Sequence, residues 1–141
     1  MTSASPRLLE VENLGLSYGK FVALRGVSLS VDAGEIVAVI GANGAGKSSL
    51  IKAVCGIERQ TTGAVQFGGA SILPMSCPQI TRSGIGLVPE GRRIFPSLSV
   101  EENILLGRQV GSTGAWTLER VYALFPDLIE KRNLPGTSLS G

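Results

Sequence analysis

A chain of 141 residues that is 43% hydrophobic and 17% charged has the apolar content for a packed core and the wrong composition for a disordered one. A formal net charge of +2 supplies no basic stripe, so nucleic acid is not indicated as a partner. With no histidine, the stretch has no imidazole base, no His-assisted nucleophile and no His-ligated metal. Cys55 and Cys77 show neither CxxC nor metal-ligand spacing and read as small buried residues of a reduced, cytosolic protein. Met1 to Arg7 is polar, unlike a signal peptide, and no apolar run approaches the ~20 residues of a membrane helix. Any work at a membrane is expected to go through a partner, not by direct insertion.

In chain order, Leu8 to Tyr18 is strand-like, with Leu9 and Val11 alternating against Glu10 and Glu12. Val22 to Asp32 alternates more strictly, with Val27, Leu29 and Val31 on one face and Ser28, Ser30 and Asp32 on the other. Gly19-Lys20 predicts a hairpin turn between them, and Asp32-Ala33-Gly34 a second turn. Ile36 to Ile40 is an unbroken apolar run, the pattern of a parallel strand buried on both faces.

Gly41-Ala42-Asn43-Gly44-Ala45-Gly46-Lys47-Ser48 follows and matches G-x-x-x-x-G-K-[ST]. Leu50, Ile51, Val54 and Ile57 then recur at helical spacing, and Gly56 stands where a helix can stop. The order is what phosphate chemistry needs. Glycines let successive N–H groups converge on one spot, and that spot is a helix N-terminus, where partial positive charge gathers. Lys47 adds a full charge for the β- and γ-phosphates, and the Ser48 hydroxyl can ligate Mg²⁺. The bland alternative, a glycine-rich turn with a solvated lysine, leaves the strand–loop–helix context unexplained.

Further along, Ala64 to Phe67 reads as another short strand, so an antiparallel β layer is expected beside the phosphate-binding core. Pro78 to Arg82 predicts a short helix and Ile85 to Val88 a short apolar strand. Ser99-Val100-Glu101-Glu102 is a capping-box pattern that should open a helix through Leu106. Gly111 to Gly114 reads as a break, Trp116 to Phe125 as a second helix interrupted at Pro126, and Leu134 to Gly141 as turn-like.

LSYGKFVAL, GANGAGKSS and GIGLVPEGRRIFPSLSVEENILLG together resemble the ATP-binding subunits of ATP-binding cassette (ABC) transporters. With VYALFPDL they look like the second ATPase subunit of branched-chain amino-acid importers, the urea and amide importers being the nearest competitor. The resemblance implies an α/β P-loop NTPase fold with an antiparallel β layer and a partial helical subdomain. About 1–90 would hold the β layer and phosphate-binding core, and about 91–141 the start of the helical subdomain. ATP and Mg²⁺ are the implied cofactors. Implied partners are transmembrane permease subunits and a second ATP-binding subunit, identical or not, at the inner face of the cell membrane.

Residue by residue, the resemblance gives Tyr18 to adenine stacking, where an ordinary strand-end aromatic is the alternative. Gly41, Asn43, Gly44, Ala45, Gly46, Lys47, Ser48 and Ser49 are given to the phosphates, with Ser49 at the α-phosphate. Glu90 stands where most of the superfamily has glutamine, in a loop that faces metal and attacking water; a solvated loop carboxylate is the alternative. Arg92, Arg93, Ile94 and Phe95 fall where the family docks its membrane partner. Leu139, Ser140 and Gly141 match the first three residues of the signature LSGGQ. The family's Asp-Glu strand, complete signature and switch histidine are not in this sequence, so ATP hydrolysis is implied for the family while this stretch alone is expected to bind nucleotide without turning it over. A non-hydrolysing nucleotide-binding module and a P-loop small-molecule kinase are the readings from other classes.

Overall fold

The structure, a computed structural model, describes residues 7–91, 93–108 and 116–139. The chain divides into two compact units, Met1–Ile85 and Gly86–Gly141.

The first unit is built on a long hairpin of β1 (Arg7–Tyr18) and β2 (Phe21–Asp32), turning at Gly19-Lys20 as the sequence predicts. β3 (Thr61–Phe67) pairs with the other edge of β1, and β4 (Ala70–Ser71) with β3, giving an antiparallel sheet of order β2-β1-β3-β4. In β2 the alternation holds: Val27, Leu29 and Val31 are half-buried while Ser28 and Ser30 are exposed. In β1 it breaks once. Val11 and Leu14, three apart, are both buried, because the register shifts between them and Asn13 adopts φ 47°. The Asn13 N–H donates to Ser28 Oγ at 2.9 Å, satisfying a group the bulge would orphan. On the opposite side, Gly63 (φ 92°) passes so close that a Cβ there would lie 2.5 Å from the Glu12 carbonyl oxygen.

α1 (Lys47–Val54) and α2 (Cys77–Arg82) contribute to the same core. Leu14, Leu16 and Val65 from the sheet meet Leu50, Ala53, Val54 and Ile80 from the helices. Each fully buried large aliphatic side chain contributes about 1.5–3 kcal/mol, so this cluster holds the unit together. Gly56 at φ 69° ends α1 at the position the sequence suggests. α2 opens at Ser76, with Pro78 in its first turn and a reciprocal Ser76–Gln79 capping box.

Four expectations are corrected. Ile36–Ile40 is not a buried strand: it lies in no ladder among the described residues, and Ile36 and Ile40 are 97% and 91% exposed. Ile85–Val88 likewise forms no strand; Ile85 packs on the core but Val88 is 95% exposed. The physical reason is common to both, since an apolar run becomes a strand only where neighbours accept its N–H and C=O groups. Ile51 and Ile57, expected on the buried stripe of α1, are exposed, and the helix buries Leu50, Ala53 and Val54 instead. Cys55 is buried, but Cys77 is only half-buried, because it begins α2 at the rim of the core.

In the second unit the Ser99–Glu102 pattern forms the expected capping box. Ser99 N–H donates to Glu102 Oε2 at 2.8 Å and Glu102 N–H to Ser99 Oγ at 3.2 Å, opening α3 (Val100–Arg108). α4 (Leu118–Leu124) is capped by Thr117, whose hydroxyl accepts the Arg120 N–H at 3.3 Å. Pro126 separates it from α5 (Asp127–Lys131). The segment after α5 runs back along the start of α3, with Val100 N–H donating to Leu134 O at 2.9 Å and Gly136 N–H to Leu98 O at 3.0 Å. The 111–114 break lies outside the described residues.

Candidate phosphate-binding site

The loop between Ile40 and α1 turns at Asn43-Gly44, closed by the Ala45 N–H donating to Ala42 O at 3.2 Å. Gly46, at φ 93°, is the residue from which α1 starts, and its carbonyl accepts the Leu50 N–H at 2.8 Å. Helix geometry gives the amides of Lys47, Ser48 and Ser49 no intrahelical acceptor, so they are donors for a ligand. No acidic side chain lies in that first turn to compete for them. Gly46 is required twice over: a Cβ there would be strained at that φ and would sit 2.8 Å from the Ala23 carbonyl oxygen. That close approach seats β2 directly against the head of the loop.

Lys47 folds back over the loop it follows. Its Nζ donates to the Gly41 carbonyl at 2.7 Å and the Ala42 carbonyl at 2.8 Å, holding the ammonium above the turn. A lysine ammonium has three donors, so one remains for an anion. Ser48 is exposed and Ser49 half-buried. Tyr18, at the end of β1 and partly exposed, sends its hydroxyl to 3.4 Å from Ser49 Oγ. One face of one unit therefore brings together Tyr18 and the 41–49 loop, residues 31 apart along the chain at this contact.

The remaining sequence candidates belong to the second unit. Glu90 and Arg93 are exposed, and so are Ile94 and Phe95, the latter at 58%. Leu139 is half-buried; Arg92, Ser140 and Gly141 lie outside the described residues. A residue the sequence reading missed organises this segment. Asn103 Oδ1 accepts the Phe95 N–H at 2.8 Å, while its Nδ2 donates to the carbonyls of Phe95, Leu98 and Ser99 at 3.1, 3.2 and 2.9 Å. Its only sequence signal is an asparagine one position beyond a capping box, which is too common to single out.

Among the described residues no group of three or more His, Cys, Asp or Glu side chains could hold a metal. Ser48, the hydroxyl-bearing residue after Lys47, is the residue of this loop that would supply an oxygen ligand to Mg²⁺. An exposed hydroxyl in the first turn beside the Lys47 ammonium fits that use.

A glycine loop wrapped around a lysine at a helix N-terminus, under an antiparallel sheet, defines a P-loop nucleotide-binding protein. More particularly, the chain belongs to the ABC transporter family, whose model matches residues 24–141. It is 38% identical over 136 residues to the high-affinity branched-chain amino acid transport ATP-binding protein BraG of Pseudomonas aeruginosa, covering 95% of this chain and 58% of that protein. It is also 39% identical over 110 residues to the ribose import ATP-binding protein RbsA 2 of Escherichia coli O157:H7, covering 78% of this chain and 22% of that one. Among solved structures, an ATP-binding cassette of an ABC transporter in its ADP conformation superposes with TM-score 0.72 at 26% identity, over 97% of this chain and 60% of that one. A dimeric bacterial ABC transporter cassette superposes with TM-score 0.76 over 95% of this chain and 64% of that one; at 22% identity it bears on the fold alone. The chain thus spans about three-fifths of the length of BraG and of these cassettes.

Proposed function

We propose that the chain is the nucleotide-binding portion of the energy-coupling subunit of an ABC importer for branched-chain amino acids. The observation that carries the substrate class is the 38% identity to BraG along nearly the whole chain. The phosphate loop supports the nucleotide: Lys47 and the first amides of α1 receive the phosphates, Ser48 the Mg²⁺, and Ser49 the α-phosphate, with adenine against Tyr18. In this reading the whole protein couples ATP hydrolysis to uptake. Glu90 serves its metal and water loop, and Arg92 to Phe95, exposed where described, dock a transmembrane permease subunit. A second ATP-binding subunit completes the assembly through the signature begun at Leu139 to Gly141. Among the described residues no helix is long and apolar enough to cross a membrane, which suits a peripheral subunit carried by its permease.

The ribose relative favours a second reading, a sugar importer, on 39% identity over a shorter stretch. Disrupting the gene and measuring uptake of labelled leucine, urea and ribose separates the substrate classes. Loss of leucine uptake alone is expected, and loss of ribose uptake with leucine uptake intact would overturn the assignment. Charge reversal at Arg93 should weaken co-purification with the permease and leave ATP binding intact; unchanged co-purification would remove the docking role.

A further inference from the structure

The hairpin that ends at the phosphate loop carries a second aromatic residue which the nucleotide reading leaves without a role. Phe21 is the first residue of β2 and pairs directly with Tyr18 across the turn. Residues directly opposite in an antiparallel pair project from the same face of the sheet, with Cβ atoms about 4.5–5.5 Å apart. That face is fixed by one contact: the Tyr18 hydroxyl lies against Ser49 in the first turn of α1. Phe21 therefore stands beside Tyr18 on the phosphate-loop side of the hairpin, yet it is 65% exposed, the more open of the two. It is absent from the hydrophobic cluster that holds the unit together, so packing does not account for a phenyl ring at this place.

We propose that Phe21 is a second base-contacting residue, forming with Tyr18 a two-ring aromatic platform that selects the large flat base of a purine nucleoside triphosphate. This rests on the nucleotide reading of the 41–49 loop. Tyr18 alone offers one ring; a neighbouring phenyl extends the apolar face to the width of a purine, which a single-ring pyrimidine covers less well. Every base has a π face, so the platform grades bases by stacking area and reads no hydrogen-bonding edge.

The test compares ligands with and without a base. Isothermal titration of the whole chain, parent and Phe21→Ala, with ATP, CTP and inorganic tripolyphosphate in the presence of Mg²⁺ separates base from phosphate binding. Stacking of one base on one aromatic side chain predicts that ATP affinity falls about tenfold in Phe21→Ala and that the preference for ATP over CTP shrinks. Tripolyphosphate affinity should stay the same, and Phe21→Trp should restore ATP binding. An equal loss for ATP and tripolyphosphate would make Phe21 merely structural and overturn the proposal, as would no change for either. A parent chain that binds neither ligand would overturn the phosphate-site reading itself, and the proposal with it.

Discussion

Two loops of this molecule are each held by one side chain reaching back to backbone, and they are held in opposite ways. In the first unit the Lys47 ammonium grips the Gly41 and Ala42 carbonyls with two of its three donors. In the second, the Asn103 amide grips Phe95, Leu98 and Ser99 with its oxygen and its NH₂ group, so two donors already serve three acceptors. The lysine brings a charge and keeps donor capacity in reserve, which is what a loop awaiting an anion requires. The asparagine is neutral, and its donors are fully committed, which is what a loop presenting a fixed shape requires. A binding loop and a presenting loop are thus distinguished by whether the pinning group has anything left to give.

The sharpest way to break this contrast is Lys47→Ala. It removes a charge-assisted contact worth ~1.5–3 kcal/mol, so ATP affinity should fall about ten- to a hundredfold in calorimetry. A variant that binds ATP as tightly as the parent would mean that the reserve donor serves no ligand.

Asn103→Ala tests the other half. Its loss strips partners from the Phe95 N–H and three carbonyls, at a cost of about 1–3 kcal/mol to the second unit. Hydrogen exchange at the Phe95 amide should accelerate while ATP affinity stays as it was. Unaltered protection of that amide would show that the loop holds its shape without the asparagine.

Ser99→Ala probes the same region more gently. The Ser99 hydroxyl caps α3, and replacing a capping serine with alanine costs about 1 kcal/mol. Circular dichroism in urea should show that modest loss. No shift of the transition would mean that Asn103 and the backbone bonds from Leu134 and Gly136 hold the start of α3 by themselves.

Legibility in the sequence divides along the same physical lines. Alternation in Val22 to Asp32 names both the strand and its buried face, because period-two patterning needs only one core. The capping box and the phosphate loop are legible because their chemistry is local, every partner lying within a few residues. Ile36–Ile40 is different. A continuous apolar run says that both faces want cover without naming the strands that would supply it, and here the run stays exposed. At Asn13 the alternation breaks in the sequence itself, a polar residue standing where an apolar one is due, but only the pairing shows that the break is a bulge whose register shift moves the core face to Leu14. Asn103 and Phe21 were hidden for a third reason: an asparagine in a helix and an aromatic in a strand each have ordinary uses, and only their neighbours in space make them specific.

A further expected effect concerns a proton. Tyr122, half-buried on α4, donates its hydroxyl to Glu101 Oε2 on α3 at 2.6 Å. Partial burial, then the hydrogen bond to that carboxylate and its negative charge, push the phenol up to about 12, against an opposing pull from Arg132. An unfolded tyrosine titrates near 10, so below that pH both states keep the proton and the bond contributes in full. As pH rises from about 10 through about 12, the unfolded state loses its proton first and the contribution disappears. Urea unfolding of the parent should therefore weaken over that window more than unfolding of Tyr122→Phe, which carries no phenol at this position; lysines titrating nearby affect both proteins alike. Absorbance at the tyrosinate band supplies the direct reading, because the variant should lose the step at about 12. Parallel pH dependences for the two proteins would show that the Glu101–Tyr122 contact does not link α3 to α4 in solution, and the second unit would then rely on Asn103 and the returning 132–136 segment to hold its shape.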